Sequence, residues 1–466
     1  MELSPAIFRE YDIRGVADRD LTSPVVHAIG RAFGERMQEG ASAARVAVAR
    51  DCRLSSPRLH EALVAGLLAA GCRVIDVGVG PTPLLYFAAH HLVTDGAIMI
   101  TGSHNPPDEN GLKMMRGLAP FFGADIVALR QRAATVDDAP ASSATALNAH
   151  SVEVLSLEDA YMEALTSRTR LRKAPFRVVL DAGNGAGGPL ALRALRACGV
   201  DVDPLYCEMD GTFPHHHPDP TDPATLTDLI ARVRQTGARV GLALDGDADR
   251  LGVVDDEGTI FWGDRLLLLF ARSILRDHPG AAIVGEVKCS QTTYDDIAAH
   301  GGRPILWKTG HSLIKTKMKA AGALLAGEMS GHLFFADRWF GFDDALYACL
   351  RLVELLVEEG KTLRELTADV PVTSVTPELR VPCPDEVKFD VVAAVLDRYR
   401  ETHEVIDVDG VRILFGAGAW GLVRASNTQP ALVLRFEAES DVRRDELRAA
   451  VEAVVHEEHQ RVLAAR

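Results

Sequence analysis

Long apolar runs are missing from this 466-residue sequence, and so are the cysteine patterns of disulfide frameworks and zinc sites. The longest apolar runs, such as Leu266–Ala271, are far shorter than the roughly 20 residues that a membrane-spanning helix needs. The seven cysteines are scattered, odd in number and without any Cys-x-x-Cys pair, which excludes both a disulfide frame and a zinc site. We therefore expect reduced thiols, which are typical of the cytoplasm.

An excess of basic residues is also missing, because 50 lysines and arginines face 65 acidic residues and the net charge is −15. Such acidity argues against nucleic acid or an anionic membrane as the main partner. A phosphorylated small molecule stays possible if the cations that bind it are concentrated in one cleft. The first ten residues hold neither a basic segment nor an apolar core of a secretory leader, so we expect a cytoplasmic protein.

The order of strand and helix patterns predicts α/β layers. The apolar fraction of 47% and the charged fraction of 25% are ordinary for a folded protein, and the length predicts roughly three or four domains. Strand-like runs at 45–49, 72–77, 96–100, 177–180, 240–244, 281–284 and 323–325 alternate with amphipathic helical patterns. This alternation favours sheets with largely parallel pairing.

Breaks in the pattern indicate the domain limits. An Ala/Ser/Asp-rich stretch at 133–150 is the predicted first linker, and a turn signal at 255–258 begins the third domain. The stretch 367–384 contains four prolines and precedes a closing α+β segment. We expect domains at 1–150, 151–254, 255–368 and 369–466.

Two polar loops follow buried strand patterns and contain the candidate reactive residues. Thr101–Pro106 holds Ser103, an alcohol nucleophile, and Asp245–Arg250 holds carboxylates at alternate positions that suit Mg²⁺. A calcium EF-hand is excluded because its sixth and twelfth positions would be Arg250 and Asp256. Taken alone, the serine could only cap a helix, and the acidic loop could only be a turn. Together the two loops indicate phosphoryl transfer.

The histidine next to Ser103 leaves a serine hydrolase as an alternative function. His104 could serve Ser103 as a base, but adjacent side chains rarely face each other and no Gly-x-Ser-x-Gly elbow is present. We therefore expect His104 not to act in this way. Lys113 could return to the loop as a phosphate-binding cation or an acid, and Arg250 could clamp a phosphate.

Two further loops could bind a sugar phosphate. Glu328 and Ser330 lie between glycines and can present oxygens to sugar hydroxyls, and His332 suits proton transfer near neutral pH. The segment Arg424–Pro430 combines arginine, short polar side chains and exposed amides, which is typical of a phosphate nest. Each loop by itself could equally be a surface turn.

Six segments occur in a fixed order along the chain: Phe8–Gly15, Thr101–Pro106, Asp245–Arg250, Lys308–Ser312, Glu328–His332 and Arg424–Pro430. In this order they resemble the α-D-phosphohexomutase superfamily, most closely its bacterial phosphomannomutase/phosphoglucomutase branch. The resemblance implies three related α/β mixed-sheet domains and a C-terminal α+β domain of the TATA-binding-protein-like class. It also implies that one loop from each domain lines a central cleft.

The resemblance assigns roles to the residues of these segments. Ser103 would be the phosphoserine, and with its phosphate Asp245, Asp247 and Asp249 would hold Mg²⁺. Glu328 and Ser330 would contact the sugar. The phosphate that does not react would be bound by Arg424, Ser426, Asn427 and Thr428, and the other matching cleft residues are Tyr11, Arg14, Lys113, Arg250, Lys288, His311 and His332.

The chain departs from the superfamily pattern at two positions. Ala248 replaces the glycine that is common in the metal loop, and His215 stands where asparagine is expected. Neither position is an expected ligand, so we expect the site to be complete.

The implied reaction is the reversible interconversion of hexose 1-phosphate and hexose 6-phosphate, with glucose and mannose both accepted. It would pass through the phosphoserine and a bound glucose or mannose 1,6-bisphosphate, which also activates the enzyme. Lys113 and His332 are the expected acid and base, with Arg14 and Arg250 beside them, and the protein is expected to be a monomer.

Three alternatives remain. Phosphoglucosamine mutases usually read Arg-x-Ser-Gly-Thr in the phosphate loop, and Asn427 departs from that pattern. A phosphohydrolase could use the same serine and metal, and a silent sugar-phosphate binder would lack the phosphoserine.

Overall fold

The computed structural model describes residues 3–39, 43–136, 152–416, 418–427 and 429–465. The predicted linker at 133–150 lies almost entirely outside these residues, and so does Thr428. The chain divides into two compact units. The first unit consists of residues 1–266 and 330–366, and the second unit consists of residues 267–329 and 367–466.

The helices are α1 (Ser23–Gln38), α2 (Ser56–Ala69), α3 (Thr82–Leu92), α4 (Ala124–Ala134), α5 (Glu158–Ser167), α6 (Gly188–Ala197), α7 (Thr227–Thr236), α8 (Gly263–Asp277), α9 (Gln291–Ala299), α10 (His311–Ala321), α11 (Ala345–Glu359), α12 (Leu363–Leu366), α13 (Lys388–Arg400) and α14 (Asp441–Ala464). The strands are β1 (Ile13–Val16), β2 (Arg45–Arg50), β3 (Arg73–Val79), β4 (Gly96–Ile100), β5 (Glu109–Arg116), β6 (Ala119–Pro120), β7 (Val152–Val154), β8 (Arg177–Asp181), β9 (Asp201–Leu205), β10 (Val240–Leu244), β11 (Leu251–Asp255), β12 (Ile260–Phe261), β13 (Ala282–Glu286), β14 (Arg303–Trp307), β15 (Leu325–Gly327), β16 (Leu333–Phe335), β17 (Ser374–Val375), β18 (Leu379–Pro382), β19 (Glu404–Ile406), β20 (Val411–Gly416), β21 (Ala419–Ala425) and β22 (Ala431–Ala438). Short 3₁₀ turns lie at Pro5–Ile7 and Pro223–Leu226.

The first unit begins with a mixed sheet in the order β1-β5-β4-β2-β3-β7, with β6 beside β5. Strands β2, β3, β4 and β7 run parallel, whereas β5 is antiparallel to β4 and to β1. Strand β4 is buried along its whole length, and helices α1 and α2 supply much of the core against this sheet. Because parallel strands end at the same edge, the segments after β2 and β4 lie side by side.

A second mixed sheet in the first unit has the order β12-β11-β10-β8-β9. Strands β8, β9 and β10 are parallel, and β11 returns antiparallel to β10. The tight return places residues 245–250 in the connection between β10 and β11. All ten residues of these two strands are buried, so the connection starts and ends on a fixed frame.

Helix α11 completes the first unit. Asp344 caps its N-terminus by accepting a hydrogen bond from the Tyr347 amide, and Gly360 ends it in the left-handed conformation. Twelve of its residues are buried, including Arg351 and Glu354. The helix therefore begins at Ala345, two residues after the start that the apolar pattern over 343–359 predicts.

The second unit contains a parallel arrangement of β14, β13 and β15, with α9 and α10 against it. Its C-terminal part is an antiparallel sheet in the order β17-β22-β21-β20-β19, with β18 also pairing with β22. Helices α13 and α14 pack on this sheet and on each other. This part is α+β, as the pattern predicted.

The expected elements are largely present, with small shifts. Strands β4 and β10 have the predicted bounds, and β15 lies two residues later than the run Ala323–Leu325. Among the residues that the structure describes, no helix combines the length and the apolar character needed to cross a membrane.

Candidate active site

The Ser103 loop and the aspartate loop meet directly in the first unit. The hydroxyl of Ser103 donates a hydrogen bond to Oδ2 of Asp245 at 2.7 Å. Ser103 has φ +49°, a left-handed conformation that is uncommon for a residue with a side chain. Its amide donates to Oγ1 of Thr101 at 2.9 Å, which helps to hold the turn. The serine is buried, so its hydroxyl is held in place beside the acidic cluster.

The three aspartates form a compact oxygen cluster. Asp245, Asp247 and Asp249 are fully buried, and each offers one oxygen within 4.8 Å of the others. Oδ1 of Asp245 accepts the amides of Asp249 and Arg250 at 3.0 and 3.1 Å, which curls the loop around it. Burial and the two neighbouring carboxylates raise the pKa of Asp245 well above its usual value.

The cluster fits a divalent cation. Oδ1 of Asp247 and Oδ1 of Asp249 are buried and make no hydrogen bond within the described structure. Buried carboxylate oxygens without a donor are costly unless a cation or a proton compensates them. Hard oxygen ligands of this kind suit Mg²⁺ or Ca²⁺ better than softer metals. The acidic cluster could therefore hold a metal.

Lys113 lies against the same carboxylates. It is on β5, opposite Met99 of β4, and its Nζ lies 2.6 Å from Asp247 Oδ2 and 2.5 Å from Asp249 Oδ2. Burial alone would lower the pKa of Lys113, but the aspartates outweigh burial and raise it. The ammonium group therefore keeps its proton and offsets part of the negative charge of the cluster.

Arg250 and His332 form a second pair next to the aspartate loop. Nε of Arg250 donates to Nε2 of His332 at 3.0 Å, so Nδ1 is the protonated nitrogen of the imidazole in this arrangement. Nδ1 of His332 lies 3.2 Å from Oδ2 of Asp343 and 3.2 Å from the carbonyl oxygen of Asp249. The amide of Leu251 donates to Gly331 O at 3.0 Å, which ties the segment containing His332 to the aspartate loop.

His104 is placed differently from the expectation. Its Nδ1 lies 3.0 Å from Ser103 Oγ, so the argument that adjacent side chains do not face each other is wrong here. The left-handed turn at Ser103 brings the two side chains to the same side. Burial and the charges of Arg250 and Arg14 lower the pKa of His104 well below its usual value, so the imidazole is neutral.

Arg14 is connected to the serine loop from β1. Its Nη1 donates to Asn105 Oδ1 at 2.8 Å, and its Nε donates to Asp12 at 2.7 Å. Tyr11 lies just before β1 and is half-buried, and Ser330 is half-buried two residues before His332.

The two residues that depart from the superfamily pattern, Ala248 and His215, both pack against neighbouring residues. Ala248 has φ +56°, a region that glycine adopts without strain, and a Cβ at Gly187 would lie 2.3 Å from the Ala248 methyl. His215 stacks on Tyr206 with ring centroids 3.9 Å apart and contacts Asn184 Oδ1 at 2.7 Å. Neither side chain belongs to the oxygen cluster.

Some residues that shape the first-unit site escaped the sequence analysis. Thr82, at the start of α3, donates to Asp247 Oδ2 at 2.5 Å, and Asp343 contacts Nδ1 of His332. Asp51 and Arg53 follow β2 and bind the serine loop. The sequence does contain an indication of these two residues, because a polar Asp-Cys-Arg segment follows β2, the strand next to β4. The segment does not stand out because it matches no known pattern of ligand-binding residues.

The second unit holds the other predicted residues. Glu328 is buried and accepts the amide of Gly310 at 3.1 Å, next to His311 at the start of α10. Lys288 is also buried, and its Nζ lies 3.1 Å from Glu378 and 3.5 Å from Glu286. The positive charge of Lys288 is the main reason that the pKa of Glu378 is lowered to about 2.

The predicted phosphate loop lies at the end of β21. Arg424 is buried and its Nε donates to Asp409 Oδ2 at 3.0 Å, and the same oxygen accepts the amide of Thr309 at 3.1 Å. Oγ of Ser426 accepts the amide of Gln429 at 3.1 Å, which tightens the loop. Asn427 is half-buried, and Thr428 lies outside the described residues.

Four family models match successive parts of the chain. They are the phosphoglucomutase/phosphomannomutase alpha/beta/alpha domains I, II and III, at residues 5–135, 159–258 and 262–373, and the C-terminal domain at 378–454. The expected four-domain fold is thereby confirmed.

Individual relatives agree with these models. A phosphomannomutase/phosphoglucomutase of Pseudomonas putida is 47% identical over 94% of this chain and 93% of the relative. A phosphoglucomutase of Neisseria gonorrhoeae is 43% identical over 96% of both chains. A crystal structure of a phosphoglucomutase/phosphomannomutase family protein from Burkholderia thailandensis covers 100% of this chain and 98% of its own, with a TM-score of 0.86 and 40% identity.

Proposed function

The chain belongs to the phosphoglucomutase/phosphomannomutase family of the α-D-phosphohexomutase superfamily, and from this premise we propose that it interconverts the 1- and 6-phosphates of glucose and mannose. One observation carries the proposal most strongly. The Ser103 hydroxyl lies 2.7 Å from Asp245, inside a buried cluster of carboxylates whose oxygens could hold a cation. A serine that only capped a helix would have no reason to lie there.

We assign Ser103 as the residue that carries the phosphoryl group. Asp245, Asp247 and Asp249, with the seryl phosphate, are the proposed ligands of Mg²⁺, which would neutralise charge on the phosphoryl group when bound. Catalysis of this kind depends mainly on position and on charge stabilisation. Arg250 adds a fixed positive charge beside the cluster, and Arg14 holds Asn105 in the serine loop.

Lys113 and His332 are the proposed acid and base. Lys113 holds a proton at Nζ, and it can give this proton to the leaving oxygen of the sugar. His332 is fixed by Arg250 on one nitrogen and by Asp343 on the other, so its ring orientation is defined. A positioned acid or base contributes ~10²–10⁴-fold to the rate.

The superfamily resemblance assigns recognition of the sugar phosphate to two loops. Glu328 and Ser330 would contact the sugar hydroxyls, and Arg424, Ser426, Asn427 and Thr428 would bind the phosphate that does not react. Lys288, His311 and Tyr11 would complete the binding set. The bound hexose 1,6-bisphosphate turns end over end between the two transfers, and glucose or mannose 1,6-bisphosphate serves as activator.

Dual specificity follows from this turn. A loop that binds the 3- and 4-hydroxyls in both orientations need not contact carbon 2, where glucose and mannose differ. We expect kcat/KM for glucose 1-phosphate and mannose 1-phosphate to agree within about a hundredfold, which is roughly 3 kcal/mol. A larger preference, or a greater kcat/KM for glucosamine 1-phosphate, would contradict the assignment.

A coupled mutase assay with parallel measurement of inorganic phosphate tests the proposal against a phosphohydrolase. We expect hexose 6-phosphate to appear in proportion to substrate lost, with phosphate release at background. Steady release of phosphate without 6-phosphate product would instead identify a hydrolase with the same serine and metal.

We also propose that the protein works as a cytoplasmic monomer on a small phosphohexose, without a nucleic acid or membrane partner. The net charge of −15 and the scattered cysteines support this view. The proposed domain limits remain 1–150, 151–254, 255–368 and 369–466, and limited proteolysis at these positions would test them.

A further inference from the structure

Arg53 binds the backbone of the serine loop and of the residues that follow it, between Ser103 and Glu109. Its side chain is fully buried, with an exposed fraction of 0%. Nη2 donates to the carbonyl oxygens of Ser103 at 2.8 Å and Asn105 at 2.6 Å. Nη1 donates to the carbonyl oxygen of Pro106 and, at 3.0 Å, to that of Glu109. One guanidinium group thus donates hydrogen bonds to four carbonyl oxygens within seven consecutive residues.

Asp51 holds the other end of the same loop. Its Oδ2 accepts the amide of Gly102 at 3.2 Å, and its Oδ1 accepts the amide of Arg53 at 3.0 Å and the hydroxyl of Ser56 at 2.5 Å. Asp51 also forms an ion pair with Arg53 at 3.2 Å. Because β2 and β4 are parallel neighbours, the Asp51–Arg53 segment lies at the same sheet edge as Gly102 and Ser103.

The packing around this contact leaves no room for a side chain at position 102. A Cβ at Gly102 would lie 2.5 Å from Cζ of Arg53 and 2.9 Å from the carbonyl oxygen of Glu109. The ring of Phe213 lies 5.0 Å from the guanidinium carbon, where a cation–π contact is favourable. Arg53 is therefore fixed by an ion pair, by a ring and by the loop that it binds.

The contacts with Arg53 fix the direction of the backbone carbonyl dipoles in the serine loop. Carbonyls that point to Arg53 cannot point to Ser103 Oγ, where a phosphoryl group with negative charge would lie. The same contacts hold Ser103 at φ +49°, a conformation that the loop would not keep without support. We propose that Arg53, together with Asp51, is the positioning residue that fixes the Ser103 loop for phosphoryl transfer. This inference rests on the proposed function.

Arg53→Lys is the deciding variant, because an ammonium group keeps the charge but cannot reach four carbonyls in one plane. Arg58→Lys is the matched control. Arg58 also donates to backbone carbonyls, those of Ala17 at 2.8 Å and Leu21 at 3.3 Å, but these lie outside the serine loop. Both variants replace an arginine by a lysine, and the two positions lie five residues apart.

The measurement is a single-turnover transfer from glucose 1,6-bisphosphate to dephosphorylated protein, followed by intact mass. The amplitude reports the fraction of protein that is folded and competent, whereas the rate constant reports the positioning of Ser103. A displacement of about 1 Å can cost about 10²-fold in rate. For Arg53→Lys we expect the rate constant to fall by about 100-fold with most of the amplitude retained, and hydrogen exchange to increase only in residues 101–110. Arg58→Lys should keep the wild-type rate constant.

Two outcomes would overturn the proposal: an unchanged rate constant in Arg53→Lys, even with reduced amplitude, or an equal loss in Arg58→Lys. If Arg53→Lys does not fold, Asp51→Asn decides by the same rate constant, because it weakens the hold on Gly102 without changing volume. If wild-type protein takes no phosphate in this assay, the proposed function fails, and that result is distinct from a failure of the positioning role.

Discussion

Ser103 Oγ and Asp245 Oδ2 are joined by a hydrogen bond of 2.7 Å, although the two residues are 142 positions apart in the chain. The bond links the end of β4 in one sheet to the end of β10 in another. It places an alcohol at the edge of a carboxylate cluster that could hold a metal. This relationship is the basis of the first prediction.

Asp245→Asn should lower mutase turnover by about 10²–10³-fold, because a neutral amide binds Mg²⁺ weakly and the lost charge stabilisation is several kcal/mol. The rate should be measured against magnesium concentration, and the variant should need more of the ion. Asp256→Asn, in the turn after β11, is the control and should keep wild-type behaviour. Unchanged turnover and magnesium dependence in Asp245→Asn would remove Asp245 from the ligand set.

Lys113→Met should separate metal binding from catalysis. The ammonium of Lys113 shares oxygens of Asp247 and Asp249 at 2.6 and 2.5 Å, so its removal leaves the cluster more negative. We expect affinity for Mn²⁺ to rise by about tenfold, or 1.4 kcal/mol, while turnover falls by ~10²–10⁴-fold. Titration calorimetry and the mutase assay give the two values. Lys361→Met at an exposed position is the control, and weaker Mn²⁺ binding by Lys113→Met would contradict the account.

Asp344→Asn should change how stability depends on pH. Burial raises the pKa of Asp344 to about 7, and hydrogen bonds from the Tyr347 amide and the Tyr161 hydroxyl only partly oppose this shift. Because the unfolded pKa is about 4, the folded state binds the extra proton between these values, and wild-type stability falls as pH rises from about 4 to about 7. Asparagine keeps the helix cap and cannot ionise.

We therefore expect the melting temperature of Asp344→Asn, measured as a difference from wild type, to rise as the pH is raised from 5 to 8. The change corresponds to about 2 kcal/mol, or several degrees. Asp222→Asn, an exposed cap of the short 3₁₀ turn, controls for the loss of a capping carboxylate. A difference between Asp344→Asn and wild type that stays constant across this range would show that Asp344 is ionised throughout.

Much of the fold could be predicted because buried strands carry local signals. The bounds of β4 and β10 follow from apolar runs that stop at polar loops, and Gly360 indicates the end of α11. The chemical types in the two loops also indicated phosphoryl transfer. These features depend on residues that are close together in the sequence.

What escaped prediction depends on contacts between distant residues or with the backbone. Arg53 binds carbonyl oxygens, which every residue has, so no residue type elsewhere in the chain pointed to it. The sequence predicts Lys113 as a phosphate-binding cation or an acid, but not its pairing with two carboxylates that lie more than 130 positions away. His104 faces Ser103 only because the backbone turns left at that serine.

The most direct test of the central claim is phosphate transfer to a single side chain. Dephosphorylated wild-type protein and Ser103→Ala should be mixed with glucose 1,6-bisphosphate and examined by intact mass, with Ser167→Ala on α5 as the control. We expect one phosphate on the wild type and on Ser167→Ala, returned to glucose 1-phosphate without release of inorganic phosphate, and none on Ser103→Ala. Phosphate on Ser103→Ala, or mutase turnover by that variant at the wild-type rate, would contradict the account.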